Sequence, residues 1–194
     1  DESAHRSLFS EVTLLPFTPS GVRLDDVQTG LEWMGRQWGA PVLLSSITGG
    51  APGVEGFAHA LARVAARANL PLATGSLRVV WREPATRSHF ALKEVVPGLP
   101  WLAGNISLVQ AMEIGSGPLT DLLEDLRMDA LFVHCNVLQE LAQPRGDRDF
   151  SGVDRIAAVI QDLPVPVICK ETGAGFSPRS AQWAARMGFA AVET

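Results

Sequence analysis

A cluster of polar and titratable side chains follows a short apolar run in the second half of the chain. Residues 130–133 read Ala-Leu-Phe-Val, which predicts a buried strand. His134, Asn136, Gln139 and Glu140 come directly after it. A carboxylate suits a hard cation such as Mg²⁺, and imidazole and amide N–H groups donate to phosphate oxygens. These residue types predict a joint site for a diphosphate and Mg²⁺, and the alternative is an ordinary polar turn after a strand.

Strand geometry indicates which of these side chains point together. Successive residues of a strand face opposite sides, so His134 and Asn136 are expected on one face and Cys135 on the other. Gln139 and Glu140 are expected in the loop just beyond the carboxyl end of the strand. This is the end at which α/β proteins bind their ligands.

The elements that must position this cluster form a repeating pattern. Predicted strands cover residues 41–48, 72–76, 101–107, 130–136, 165–172 and 190–194. Predicted helices cover residues 55–69, 84–94, 118–127, 153–162 and 178–187. Strands that alternate with helices pair in parallel, so the sequence predicts an α/β fold, either a β/α barrel or a doubly wound sheet. We expect one domain over residues 1–194, in which the irregular residues 1–40 form a lid or loop layer over one end.

Polar residues end the successive predicted strands. They are Ser46 to Gly50, Gly75 to Arg78, Gly104 with Asn105, His134 to Asn136, and Lys170 with Glu171. A single such end would be unremarkable, because serine, threonine and asparagine favour turns and helix caps. The repetition predicts one shared pocket at the carboxyl ends of the strands.

Lys170 is the most unusual of these residues, because it ends the apolar run Val165-Pro166-Val167-Ile168-Cys169. A buried lysine requires an anionic or electron-rich partner. That partner is either a bound ligand or a neighbouring carboxylate, Glu171 or Glu193.

Composition excludes several classes of protein. The net charge is −5, and 46% of residues are hydrophobic and 19% charged, which argues against a nucleic-acid or anionic-membrane surface. No apolar stretch approaches the roughly 18 residues that a membrane helix needs. The two cysteines lie in apolar runs, so we expect them to pack against helices, to be unreactive and to occupy a reducing, cytoplasmic compartment.

The run from His134 to Phe150 resembles the type 2 isopentenyl-diphosphate isomerases, the flavin-dependent family, at the segment that carries their substrate and Mg²⁺ ligands. Three further segments resemble the same family in the same order. The turn Ile47-Thr48-Gly49-Gly50 is similar to the family's Met-Thr-Gly-Gly turn, with isoleucine in place of methionine. The others are the Gly-Ser-Leu-Arg segment that ends at Arg78 and the strand end at Asn105.

This resemblance implies a function and a role for each residue. The chain would hold about six of the eight units of a β/α barrel. It would convert isopentenyl diphosphate to dimethylallyl diphosphate, with reduced FMN as the acid/base, NADPH or another reductant to prime the flavin, and Mg²⁺ on the diphosphate. The implied catalytic residues are Gln139 and His134, and the implied metal ligand is Glu140. The implied substrate contacts are Ser76, Leu77, Arg78, His134, Asn136 and Gln139, and the implied FMN contacts are Ser46, Ile47, Thr48, Ser76, Asn105 and Lys170.

Other interpretations remain open at this stage. One is a different FMN-dependent barrel oxidoreductase, and another is a non-catalytic fragment or remnant of an isomerase barrel. Members of the resembled family are much longer, so we expect that the natural protein is longer and that this chain alone does not turn over at a useful rate. The expected partners are a small diphosphate substrate and further copies of the chain, without nucleic acid or membrane.

Overall fold

Strands and helices alternate along most of the protein. The computed structural model describes residues 11–46, 49, 53–144 and 146–194. The strands are β1 (Leu31–Trp33), β2 (Arg36–Trp38), β3 (Leu72–Ser76), β4 (Leu102–Ser107), β5 (Ala130–His134), β6 (Val167–Lys170) and β7 (Ala191–Glu193). The α-helices are α1 (Glu55–Ala68), α2 (Arg78–Arg82), α3 (Leu92–Val95), α4 (Leu108–Ile114), α5 (Ser116–Asp125), α6 (Val137–Ala142), α7 (Ile156–Asp162) and α8 (Pro178–Met187). Short 3₁₀ helices cover Leu24–Asp26, Pro84–His89 and Val153–Arg155. Within these ranges, no helix is both long enough and apolar enough to cross a membrane.

The central sheet is parallel and follows chain order, β3-β4-β5-β6-β7. Leu44 extends it by one parallel bridge to Leu72, on the outer side of β3. The predicted α/β fold is therefore confirmed, with parallel strands in sequence order as in a β/α barrel.

The predicted helix over residues 84–94 is wrong. That segment is the 3₁₀ helix Pro84–His89 followed by the short helix α3, because Ala91, with a ψ of 49°, leaves helical geometry between them. The predicted helix 118–127 begins earlier, at Ser116, and a further helix, α4, starts directly after β4. Gly115 separates α4 from α5 with a φ of 78°, a conformation that glycine adopts without strain.

Alternate residues of the strands face two separate apolar clusters. Leu131, Val133 and Cys169 pack against the helices, whereas Phe132 and Ile168 pack on the inner face of the sheet. Phe132 is only 1% exposed. Burying a side chain of this size stabilises the fold by roughly 1.5–3 kcal/mol, so the inner face is a packed core beneath the polar strand ends.

A β-hairpin closes the amino end of the inner cluster. The strands β1 and β2 pair in antiparallel fashion, and the rings of Trp33 and Trp38 pack edge-on against Trp101 at centroid distances of 5.7 and 6.4 Å. Arg36 donates to the carbonyl oxygen of Pro100 at 2.6 Å. Trp101 directly precedes β4, so the hairpin lies at the end of the sheet opposite the polar strand ends.

Both cysteines face the helical layer, as the parity of the strands predicts. Cys169 belongs to the helix-facing core and Cys135 packs against it, with the two sulfur atoms 3.5 Å apart and unbonded. The hydrogen bond from Cys169 and burial raise the pKa of the Cys135 thiol well above its usual value. A protonated, buried thiol is a poor nucleophile, so these residues serve packing.

Candidate active site

The register of the sheet aligns four polar residues at its carboxyl edge. Ser107 pairs with His134, His134 with Lys170, and Lys170 with Glu193, so one residue from each of β4, β5, β6 and β7 lies in a row. Register partners in a parallel sheet point to the same face. The row therefore forms a polar layer on the inner face, directly above the layer that contains Phe132.

A cavity of about 130 Å³ opens onto this row. It is lined by Ser46, Ser76, Arg78, Asn105, Ser107, Gln110, His134, Gln139, Glu140, Gln143, Lys170 and Thr172. The structure thus brings together Ser46, Ser76, Arg78, Asn105, His134, Gln139, Glu140 and Lys170 from the predicted site. The predicted FMN contacts Ile47 and Thr48 lie outside the described residues.

Three polar atoms in the cavity wall are buried and lack a hydrogen-bond partner within the described part of the chain. They are Ser46 Oγ, Gln110 Oε1 and His134 Nε2. Buried polar atoms in folded proteins are almost always hydrogen-bonded, because an unmet one costs about 1–3 kcal/mol. Atoms of this kind gathered in one cavity indicate that a polar ligand completes it.

The environment of His134 favours the neutral form of its imidazole. Burial lowers the pKa of its imidazole, and the nearby Glu140 carboxylate, 3.8 Å from Nε2, opposes that effect only in part. A neutral imidazole can donate from one nitrogen only, so its tautomer is set by the ligand that meets Nε2. The side chain can therefore donate to a phosphate oxygen without carrying a permanent charge.

The predicted loop at Gln139 and Glu140 is wrong, because both residues lie in helix α6. Asn136 begins this helix, and its side-chain oxygen accepts from Gln139 N at 2.8 Å. The strand ends at His134, so Asn136 does not share its face; its amide donates to Glu171 and to Thr172 instead. Asn136 accordingly does not line the main cavity but a small adjacent one.

The carboxylate of Glu140 is buried beside His134, with only 6% of the residue exposed. Its Oε2 accepts a hydrogen bond from the backbone N–H of Asp147 at 3.1 Å, which fixes one oxygen and leaves the other toward His134. Among the described residues, no three His, Cys, Asp or Glu side chains are placed together so that they could hold a metal ion. A cation here would take one carboxylate from these residues and its remaining oxygens from a ligand and water, as Mg²⁺ commonly does with phosphates.

Lys170 has the neighbouring carboxylate partner that the sequence left open as one alternative, and it also lines the cavity. Its Nζ lies 2.8 Å from Glu193 Oε1 and 3.1 Å from Ser45 Oγ, while the side chain also lines the cavity. Of the two predicted carboxylate partners, Glu193 makes the ion pair, and Glu171 instead contacts Asn136 and the backbone N–H groups of Ala174 and Gly175. A charged lysine is thus held at the cavity wall.

Arg78 begins helix α2 and reaches across the cavity mouth, where its Nη2 donates to Gln143 Oε1 at 3.4 Å. Ser76 accepts from the backbone N–H of Arg78 at 3.3 Å. Leu77, between them, is fully buried in the helix-facing core, so only its backbone is available to a ligand. The guanidinium of Arg78 therefore lines the cavity with a single side-chain hydrogen bond among the described residues.

Sequence reasoning missed several residues of the site. They are Ser45, Ser107, Gln110, Gln143, Asp147 and Thr172. Ser107 could have been found from strand parity, because it ends a predicted strand. Gln110 and Gln143 carried no such signal, since their positions depend on helices α4 and α6, which the hydrophobic pattern did not predict.

Comparison with solved structures defines the class of fold. The protein resembles a mandelate oxidase mutant with the monooxide FMN adduct at a TM-score of 0.66 and 18% identity, over 98% of this chain and 57% of that one. It resembles a mandelate oxidase mutant with (S)-mandelic acid at a TM-score of 0.64, also at 18% identity. At this identity the likeness shows the fold alone, and the fold is that of a β/α barrel.

Curated relatives give the more specific comparison. The chain is 39% identical to isopentenyl-diphosphate delta-isomerase of Paracoccus zeaxanthinifaciens over 172 residues, which are 87% of this chain and 49% of that protein. Identity to the enzymes of the same name from Rickettsia africae and Methanococcoides burtonii is 36% and 34%, over 93% and 95% of this chain and 53% and 51% of theirs. No protein-family model matches the chain. The protein is thus homologous to isopentenyl-diphosphate delta-isomerases and spans about half their length.

Proposed function

We propose that this protein isomerises isopentenyl diphosphate to dimethylallyl diphosphate, as an FMN- and Mg²⁺-dependent enzyme of the type 2 class. The observation that carries the proposal is the cavity at the carboxyl ends of the strands, where buried polar atoms lack partners in a chain similar to enzymes of that name. The reaction shifts the double bond by one carbon. One proton is added to the terminal alkene carbon, and another is removed from the carbon next to the double bond on its diphosphate side.

The diphosphate is proposed to lie against the hydrogen-bond donors of the cavity. Arg78 supplies a guanidinium that can bind two oxygens, and the neutral His134 supplies one N–H. Gln139 Oε1 accepts from Thr172 Oγ1 at 3.1 Å, which leaves its amide N–H₂ free to donate. Together with the backbone from Ser76 to Leu77, these groups offer donors on several sides of an anion.

Glu140 is proposed to hold Mg²⁺, which would supply positive charge for the diphosphate. The carboxylate is the hard, anionic oxygen that this cation prefers, and burial beside the cavity keeps it from full hydration. The cation in turn neutralises diphosphate charge that would otherwise face the buried carboxylate. Asn136 acts on this site indirectly, through the start of the helix that carries Glu140.

Ser46, Ser76, Asn105 and Lys170, which all line the cavity, are proposed to hold the flavin. Reduced FMN would supply the acid/base chemistry at the alkene, and NADPH would serve as its reductant. Lys170 carries a buried cation suited to the electron-rich edge of a reduced flavin ring, and Asn105 is a buried amide, 8% exposed, in register with Ser76. Ser46 Oγ is one of the unpartnered atoms, so it too fits a polar ring edge. Ile47 and Thr48 belong to the same proposal.

Self-association is proposed from the amino-terminal segment. Leu14, Leu15, Phe17 and Leu24 are each at least 80% exposed, an unusual density of exposed apolar side chains for one stretch. Analytical ultracentrifugation of the full-length protein tests this, and a monomer at all concentrations would overturn it.

A cytoplasmic location is proposed from the two free thiols, whose sulfur atoms lie 3.5 Å apart without a bond. Fractionation of cells that produce the protein tests this location.

The decisive experiment uses the full-length protein with FMN, a reductant, Mg²⁺ and isopentenyl diphosphate, and follows dimethylallyl diphosphate by chromatography. We expect a yellow protein whose turnover requires both reduced flavin and Mg²⁺. A colourless protein without turnover would overturn the proposal in favour of a non-catalytic barrel. Flavin-dependent oxidation of a 2-hydroxy acid, without isomerisation, would assign it to the barrel oxidoreductases.

A further inference from the structure

Gln110 is a buried glutamine on the first turn of helix α4, only 4% exposed, and it lines the main cavity. Its amide Nε2 lies 3.4 Å from both carboxylate oxygens of Asp147. A carboxylate can only accept hydrogen bonds, so the amide must present its N–H₂ group to Asp147 and its carbonyl oxygen elsewhere. That oxygen, Oε1, is buried and has no partner among the described residues.

Asp147 links this glutamine to the proposed metal ligand. Its side chain accepts from Ser107 Oγ at 2.5 Å and from Gln110, while its backbone N–H donates to Glu140 Oε2 at 3.1 Å. One residue therefore fixes the orientation of two side chains whose oxygens face the cavity. The contact between the Gln110 and Asp147 side chains is not a helix cap. Ser107 already caps α4, because its Oγ accepts from Gln110 N at 3.2 Å.

The chemical character of Oε1 restricts what can meet it. A carbonyl oxygen repels the oxygens of a diphosphate, and it attracts only a cation or a group that donates a hydrogen. Mg²⁺ accepts amide carbonyl oxygens as ligands, and the water molecules of its coordination shell are strong donors. The unpartnered oxygen of Gln110 therefore suits a cation or its bound water and does not suit the oxygens of a diphosphate.

We propose that Gln110 is a second oxygen contact of the bound cation, beside Glu140, and that Asp147 is the positioning residue for both. This inference rests on the proposed Mg²⁺–diphosphate site. It assigns Gln110 to that site as a contact of the cation and not of the diphosphate. Groups that orient metal ligands typically contribute about 10–100-fold to metal affinity.

The test measures binding of Mn²⁺, a hard-oxygen stand-in for Mg²⁺, by electron paramagnetic resonance in the presence of inorganic pyrophosphate. Full-length wild type is compared with Gln110→Met, which keeps the shape of the side chain and removes its oxygen. We expect Gln110→Met to weaken Mn²⁺ binding by about 10-fold or more and to leave metal-free pyrophosphate binding unchanged. Asp147→Asn should produce a similar loss, because it alters the side chain that orients Gln110 and keeps the backbone N–H that donates to Glu140. The double variant should then bind no more weakly than the weaker single variant, since both changes act through the Gln110 oxygen.

The control is Gln161→Leu on helix α7, an exposed glutamine that makes no contact with the site. This control should bind Mn²⁺ and pyrophosphate as wild type does. Thermal unfolding of each variant distinguishes a specific loss of metal binding from a loss of the folded structure. Unchanged Mn²⁺ affinity in a folded Gln110→Met variant would overturn the inference and leave the proposed function standing. Equal losses of metal-dependent and metal-free pyrophosphate binding would also overturn it, because Gln110 would then shape the cavity without acting on the cation. Failure of wild type to bind Mn²⁺ with pyrophosphate would overturn both.

Discussion

Lys170 and Glu193 are register partners on neighbouring parallel strands, and Lys170 Nζ lies 2.8 Å from Glu193 Oε1. Ser45 completes this contact, donating to the same carboxylate oxygen at 2.5 Å. The lysine is only 8% exposed, so the carboxylate is its ion-pair partner at the cavity wall and compensates part of its charge. The ion pair therefore sets how much positive charge a bound ligand meets.

Replacing Lys170 with alanine should weaken FMN retention and make the bound flavin harder to reduce. A hydrogen bond from a charged group contributes about 1.5–3 kcal/mol, and a nearby cation favours the anionic reduced ring. Glu193→Gln should act in the opposite direction, because it removes the compensating charge. The measurement is the flavin reduction potential of each variant, and equal potentials in wild type and Lys170→Ala would leave the lysine a purely structural partner of Glu193.

Glu140→Gln should abolish most Mg²⁺-dependent turnover while FMN binding stays near that of wild type. The substitution keeps the size of the side chain and removes the anionic oxygen, so we expect activity to fall about 10–100-fold or more at fixed Mg²⁺. Steady-state kinetics against Mg²⁺ concentration and flavin absorbance give the two readouts. Glu124→Gln, at an exposed position on α5, is the matched control. Loss of flavin from Glu140→Gln would indicate a structural role instead.

Gly146→Ala should disturb the site through the backbone alone. A Cβ at this position would lie 1.8 Å from the carbonyl oxygen of Glu140, so helix α6 and the segment that carries Asp147 would have to separate. We expect destabilisation of about 1–3 kcal/mol with weaker Mn²⁺–pyrophosphate binding, measured by urea unfolding and by titration. Gly117→Ala is the control, since no atom lies within 4 Å of its Cβ position, and in helix α5 alanine should stabilise by up to about 1 kcal/mol. Wild-type behaviour of Gly146→Ala would show that this close approach is dispensable.

The ion pairs of Arg87 should make the free energy of unfolding vary with pH in the acid range. It donates to Asp125 at 2.7 Å and to Glu94 at 2.9 Å, and these hydrogen bonds lower the pKa of both carboxyl groups. A lowered folded-state pKa stabilises the fold above the ordinary carboxyl pKa of about 4, and that contribution disappears as pH falls through the lowered value. The difference in urea midpoint between wild type and Arg87→Gln should therefore be small but present near neutral pH and should vanish in acid. A difference that is constant with pH would contradict the role of these charges.

The sequence by itself determined the alternation of strands and helices, the buried strand that ends at His134, and the polar ends of its neighbours. These follow from local causes, since hydrophobic periodicity and turn chemistry act over a few residues. It also indicated Lys170 and Glu140, because a lysine in an apolar strand and a carboxylate beside an imidazole have few structural uses.

Which residues meet in the site depends on how the strands and helices pack together. The register of four strands aligned Ser107, His134, Lys170 and Glu193, and no local signal carries register between strands that are tens of residues apart. Helix α6 began at Asn136 and turned a predicted loop into a scaffold for Glu140, because a single side-chain cap outweighed the expected continuation of the strand. Gln110 entered the site through contact with Asp147, 37 residues away in the chain. Contacts of this range depend on how whole elements pack, which a linear pattern does not record.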